Sequence, residues 1–311
     1  MIQRQKKTVS GNLLELDYYP ITVDGRAAPV RAPKSKPSTA EQQRYNKNNT
    51  AKKIVRLVNA NFDNTDFFLH LTYNVATAPQ TENDARRDIV NYIRRVKTKR
   101  TSEIKKISER LNDIDNAISN AGNNQSALDI LTETKNRLIA KYKKLSQPLK
   151  YIYVIEKTEY KNKFLAGRFN WHFHLFISGG LDEQTIKNIW KSGERIKCDY
   201  YAPERFGAEA AAKYIAKGAE GVRKFSCSTN LKKPKVICKD GKVSAGKVKK
   251  LARTKIEDRE YWERQYKGYK FIRAYANYND YNGYWYLSVV MYKTNQDVPI
   301  WFSDMGGEIY D

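Results

Sequence analysis

The stretch Trp171-His172-Phe173-His174-Leu175-Phe176-Ile177 constrains the fold more than any other part of the sequence. Aromatic and branched apolar residues dominate it and Gly179-Gly180 follows, which is the composition of a β-strand closed by a turn. Side chains alternate across a strand, so Trp171, Phe173, Leu175 and Ile177 share one face while His172, His174 and Phe176 share the other. Two imidazoles at i and i+2 therefore point the same way, about 7 Å apart along the backbone. That spacing lets both rings reach one divalent ion, for which imidazole is a common ligand. Taken alone, a His-x-His pair more often marks two partly exposed polar residues with no ligand role.

Other segments extend the pattern. Residues 67–73 read as a buried strand that carries His70 on the face of Phe68 and Thr72. Residues 149–158 read as another strand, joined to the histidine strand by a loop rich in Lys and Gly. Glu156 lies on the face of Ile152 and Val154. A β-hairpin would set it beside the histidines, where a carboxylate could complete a site for a divalent ion. Glu159, nearer the loop, is the second choice. His70 is a further ligand or substrate contact, or a hydrogen-bonded core residue.

Helix signals fall between the strands. Ser38-Thr39-Ala40-Glu41 has capping-box spacing and starts a helix to about 59. Thr81 caps a second helix with Ala85, Ile89, Tyr92, Ile93 and Val96 at helical spacing. Its continuation to 120, and a helix over 126–145 after Gly122-Asn123-Asn124, form a charged helical hairpin inserted at about 100–147. Asp182 caps a short helix through Trp190, and a short strand follows over 195–200. An Ala-rich helix over 203–217 stops at Gly218. The order strand-helix-strand-strand-helix-strand predicts an α+β fold, an antiparallel sheet with packed helices.

The ends of the chain differ from this middle. Residues 1–37 form a basic N-terminal segment with a hairpin expected over 13–30 around Asp24-Gly25. Residues 236–311 form a basic linker and a Tyr-rich, strand-like extension, with turns at Asn279-Asp280 and Asn282-Gly283. The linker, within the Lys-rich stretch 232–255, is expected to be mobile or DNA-facing. A middle domain is then expected over 38–235.

Charge points to the partner. Lys and Arg number 57 against 34 Asp and Glu, a formal +23, which favours a polyanion. The 22 tyrosines and 5 tryptophans favour nucleic acid over a membrane surface, because aromatic faces stack on unpaired bases. No apolar run reaches membrane-span length and the first residues lack an apolar signal core, so a cytoplasmic protein is expected. The three cysteines, Cys198, Cys227 and Cys238, fit neither a disulfide framework nor a zinc pattern. No phosphate loop of the Walker type occurs, so no helicase domain is visible.

A nucleophile stands late in the chain. In Ala211-Ala212-Lys213-Tyr214-Ile215-Ala216-Lys217-Gly218, Tyr214 and Lys217 are three apart and share a helical face. A tyrosine beside a metal-bound phosphate could attack phosphorus through its phenolate, which a neighbouring cation favours.

These segments, in this order, resemble the replication initiators of the HUH endonuclease superfamily, which serve rolling-circle plasmids and single-stranded DNA phages. Leu71-Thr72-Tyr73 resembles the end of the first motif, His172-Phe173-His174 the second, and Tyr214 with Lys217 the third. Asn59-Ala60-Asn61-Phe62, Phe225-Ser226-Cys227-Ser228 and Leu231-Lys232-Lys233-Pro234 resemble flanking segments of Gram-positive plasmid initiators. The resemblance covers about 40–235. It implies a ferredoxin- or RRM-like sheet and metal-dependent, site-specific nicking of single-stranded origin DNA. It further implies a 5′-phosphotyrosine at Tyr214, Mg or Mn held by His172, His174 and Glu156, and Lys217 orienting the tyrosine, metal or phosphate. His70, Thr72, Tyr73, Lys213, Lys232 and Lys233 are then candidate DNA contacts. A bacterial host's helicase and polymerase are the expected partners.

His70 departs from the family pattern, where a small polar residue is common. The gap from Glu156 to His172 is longer than in viral members, and Gly218 stands where a second tyrosine would be. Relaxases carry the tyrosine ahead of the histidines, and the related transposases are shorter. The reading of a different class is a non-catalytic ferredoxin-like module that binds nucleic acid through its aromatic residues.

Overall fold

The computed structural model describes residues 1–23, 39–122, 124–159, 169–193, 196–202, 208 and 225–293. Over these the chain is α+β, with two antiparallel five-stranded sheets. It divides into two compact units, residues 1–61 with 232–311, and residues 62–231. Both domain boundaries expected from the sequence, after 37 and after 235, fall within the first unit.

The second unit holds the histidine strand. Its sheet contains β3 (Phe67–Thr72), β4 (Tyr151–Glu159), β5 (Phe169–Ile177), β6 (Lys197–Tyr200) and β7 (Ser226–Cys227), in the order β6-β3-β5-β4-β7. Alternation sorts the sheet into two faces. Phe67, Leu69 and Leu71 of β3, Tyr153 of β4, and Trp171, Phe173, Leu175 and Ile177 of β5 form one buried cluster. Helix α2 (Glu82–Asn120) covers it with Ala85, Ile89, Tyr92, Ile93 and Val96, and α4 (Glu183–Ile189) adds Ile186. Each large side chain buried there contributes about 1.5–3 kcal/mol relative to exposure. Two of the predicted caps are in place. Thr81 accepts from the Asp84 amide and Asp182 from the Thr185 amide.

At 39 residues, α2 is about 58 Å long, so its second half runs beyond the sheet. Helix α3 (Gln125–Ser146) returns along it, with Leu138 and Tyr142 packed against the same core as Ile104, Ile107 and Leu111. The root of this hairpin is fixed by Arg100, which is buried. Its Nη1 donates to the Gly179 carbonyl at 2.5 Å. Its Nη2 reaches the carbonyls of Lys144, Leu145 and Gln147 at 3.1, 2.9 and 3.0 Å. These belong to the C-terminal end of α3, where carbonyls lack helical partners and the helix dipole favours a cation. Gly179 has to be glycine because a Cβ there would lie 1.9 Å from the Thr65 carbonyl oxygen.

In the first unit, β1 (Ile2–Ser10) and β2 (Leu13–Ile21) form a hairpin through Gly11-Asn12, with Gly11 at φ +58°. The hairpin expected over 13–30 has its first strand in β2, which pairs back with β1. Strand β2 is flanked by β1 and β10; Asp24-Gly25 itself lies outside the described residues. The sheet order is β8-β1-β2-β10-β9, with β8 (Lys235–Asp240), β9 (Tyr269–Asn279) and β10 (Tyr284–Lys293). The stretch expected to be mobile or DNA-facing contains β8 and the helix α5 (Ala245–Thr254). Periodic Val248 and Leu251 of α5, with Trp262 of α6 (Arg259–Gln265), pack on Leu14, Leu16, Val289 and Met291. Helix α1 (Ala40–Asn61) joins this unit through the ion pair of Arg56 with Glu15, at 2.5 and 3.0 Å.

Candidate functional site

The face of the second sheet turned away from α2 carries the histidines. Strand register places them together. His70 pairs with His174, Thr72 with His172, and Glu156 with His172. His70, Thr72, His172, His174 and Glu156 are thus neighbours on three adjacent strands.

Their contacts are specific. His174 Nε2 lies 2.8 Å from Glu156 Oε2, and His174 is only 4% exposed. His172 Nε2 lies 3.1 Å from Thr158 Oγ1. The His70 and His174 rings meet edge to face, centroids 4.5 Å apart. Phe68 stacks on Phe176 at 4.5 Å and meets His70 at 4.8 Å, so aromatic rings wall one end of the cluster. Phe62 and Tyr201 in turn pack on Phe176.

Electrostatics follow from burial. The His70 pKa falls to about 4, mainly by desolvation, then through the neighbouring charges of His174 and Lys197. Burial also lowers His172, against the opposing pull of Glu156. Both rings are therefore held neutral at pH 7, the form in which imidazole binds metals.

Among the described residues, no three His, Cys, Asp or Glu side chains are already drawn together as a metal-binding group. His172 is turned to Thr158 and His174 to Glu156. The donor chemistry nonetheless fits a divalent ion, since two imidazoles and a carboxylate stand on one face within one strand of each other. Glu159 pairs with Phe169 at the far end of β4, is exposed, and is three residues beyond Glu156, so it falls on the opposite face.

Tyr73 does not belong to this face. It is buried in the helix-side core against Phe173 and Trp190, and its hydroxyl donates to Asp88 at 3.0 Å. That burial, with Asp88 beside it, pushes its pKa up and away from the phenolate. Lys232 and Lys233 are exposed and belong to the first unit, where the Lys232 amide donates to Asn61 Oδ1 at 2.7 Å. Lys213, Tyr214 and Lys217 lie outside the described residues.

Thr158 and Lys197 were missed by sequence reasoning. Thr158 is two residues after Glu156, so alternation alone puts it on the same face. Lys197 pairs with His70, which becomes legible only once β6 is placed beside β3.

No family model, curated protein or solved structure matches this chain. Among the described residues, no helix is long and apolar enough to cross a membrane.

Proposed function

We propose that the chain is a rolling-circle replication initiator of the HUH type, a metal-dependent nickase and strand transferase for single-stranded origin DNA. The observation that carries this reading is the convergence of His172, His174 and Glu156 on one sheet face, with Glu156 directly opposite His172. The strand order β6-β3-β5-β4 adds support, since it is that of a ferredoxin-like sheet read in chain order as 4-1-3-2.

In this reading His172, His174 and Glu156 hold Mg or Mn. When bound, the ion would polarise a non-bridging oxygen of the scissile phosphate. Tyr214 attacks phosphorus through its phenolate oxygen, forming a 5′-phosphotyrosyl bond as the bond to the 3′ oxygen breaks; that oxygen takes up the proton that Tyr214 gave to solvent and becomes a 3′-hydroxyl. Attack by another 3′-hydroxyl reverses the step and frees Tyr214. Lys217 orients the tyrosine or the phosphate. Thr158 positions His172 through their hydrogen bond. Basic side chains take the backbone phosphates, so binding weakens steeply with salt. A host helicase and polymerase would act with it.

A second reading is a binding module without catalysis. What favours it is that both imidazoles already have partners within the protein, Thr158 and Glu156. Incubation with single-stranded origin DNA and Mn, followed by a denaturing gel, separates the two. The nickase forms a covalent adduct that Tyr214→Phe or EDTA abolishes. The module binds the same DNA with no adduct.

A further inference from the structure

The first unit contains a cavity of its own. Where the β9–β10 hairpin turns, a space of about 370 Å³ is lined by Gly246, Lys249, Tyr278, Gly283, Tyr284 and Trp285. That volume lies in the range of small-ligand sites. Its wall is aromatic. Tyr278 and Trp285 are cross-strand partners with ring centroids 5.4 Å apart, and Tyr278 stays 44% exposed although it is large and largely apolar.

The opposite side is cationic. Helix α5 places Gly246 and Lys249 three residues apart, on one side of the helix. The same helix carries Lys247, Lys249, Lys250 and Arg253 and no acidic residue. Val248 and Leu251 bury the other side in the core, which fixes the helix against the hairpin. At Gly246 a Cβ would meet nothing within 4 Å, so glycine leaves open space at the cavity.

An aromatic wall facing a cation suits a flat π-system joined to an anion. We propose that this cavity binds one nucleotide of a DNA single strand, with the base stacked on Tyr278 and Trp285 and its phosphate at Lys249. The helix start contributes its outward amides to the same phosphate. The turn at Gly283, with φ +71°, keeps side-chain bulk away from the base. The strand then continues over the exposed basic side of α5. This site is separate from the histidine cluster, and its assignment stands whether or not Tyr214 is a nucleophile.

The test uses the full chain in EDTA, with fluorescein-labelled oligo-dT read by anisotropy. Trp285→Ala and Tyr278→Ala should each weaken binding on the order of 5- to 150-fold, the value of one base stack. Lys249→Gln should reduce the salt slope of log K by about 0.7, one phosphate contact on a single strand. Gly246→Gln should weaken binding by filling the space while leaving thermal stability no lower, because glutamine is the better helix former. Ultraviolet crosslinking should mark the peptide containing residues 278–285. Unchanged affinity in the Gly246→Gln and Trp285→Ala variants, or crosslinks confined to other peptides, would overturn the proposal. So would dTMP binding as tightly as the oligomer, which would make the ligand a free nucleotide.

Discussion

Replacing Arg100 by Met should detach the helical hairpin from the sheet at a measurable cost. Arg100 is 4% exposed and its guanidinium donates to four backbone carbonyls, of Lys144, Leu145, Gln147 and Gly179. Methionine matches much of its volume but donates nothing. Each carbonyl left buried without a partner costs about 1–3 kcal/mol. The sum is reduced because the wild-type protein already spends free energy keeping a charge buried, as the lowered Arg100 pKa records. It is reduced further where water reaches the end of α3. The net expectation is about 3–5 kcal/mol, the usual cost of breaking a buried charged network. Arg100→Lys keeps the charge but loses the planar fork and should fall between.

Hydrogen exchange reads this loss in the unit that bears it. Amides of β3 and β5 should exchange about 100-fold faster or more in Arg100→Met, at about 1.4 kcal/mol per tenfold. Amides of β2 and β10, in the first unit, serve as the internal control. A change below about 1 kcal/mol in β3 and β5 would mean that the carbonyls find water, and the argument would fail.

Further outcomes follow from single contacts. Gly179→Ala would force a Cβ to within 1.9 Å of the Thr65 carbonyl oxygen, so the second unit should lose about 1–3 kcal/mol in urea unfolding. His70 and His172 have folded pKa values below the unfolded 6.5. The unfolded chain therefore binds more protons as pH falls from 6.5 towards about 4, and stability that is full above 6.5 is lost across that window. His70→Asn should flatten this dependence, as measured by urea midpoints between pH 7 and 4.5. Glu156→Gln removes the carboxylate from the histidine face and should weaken Mn binding, followed by electron paramagnetic resonance, by at least about tenfold.

Legibility in the sequence tracked the range of the interaction. The faces of β3, β4 and β5 were readable because alternation is local, and so Glu156 could be placed beside His172 before any pairing was known. The Thr81 and Asp182 caps were readable for the same reason. Tyr73 was not. Its position one residue past β3, with Asp88 waiting on α2, depends on how helix and sheet pack. The first unit was the least legible part, because β2 at residue 13 pairs with β10 at residue 292. No local pattern announces a partner so far along the chain. β8 was missed for a related reason. Lys235, Lys239 and Asp240 read as a solvated linker, yet an edge strand needs only backbone pairing with β1 and tolerates exposure along its whole length.

The central claim is that the histidine face and Tyr214 form one catalytic centre. Its most direct measurement is mass spectrometry of the wild-type chain after incubation with single-stranded origin DNA and Mn. The account predicts a DNA 5′-phosphate esterified to Tyr214, and no adduct in His172→Ala, His174→Ala or Tyr214→Phe. An adduct on a different residue, or one formed at full rate by His172→Ala or His174→Ala, would contradict it.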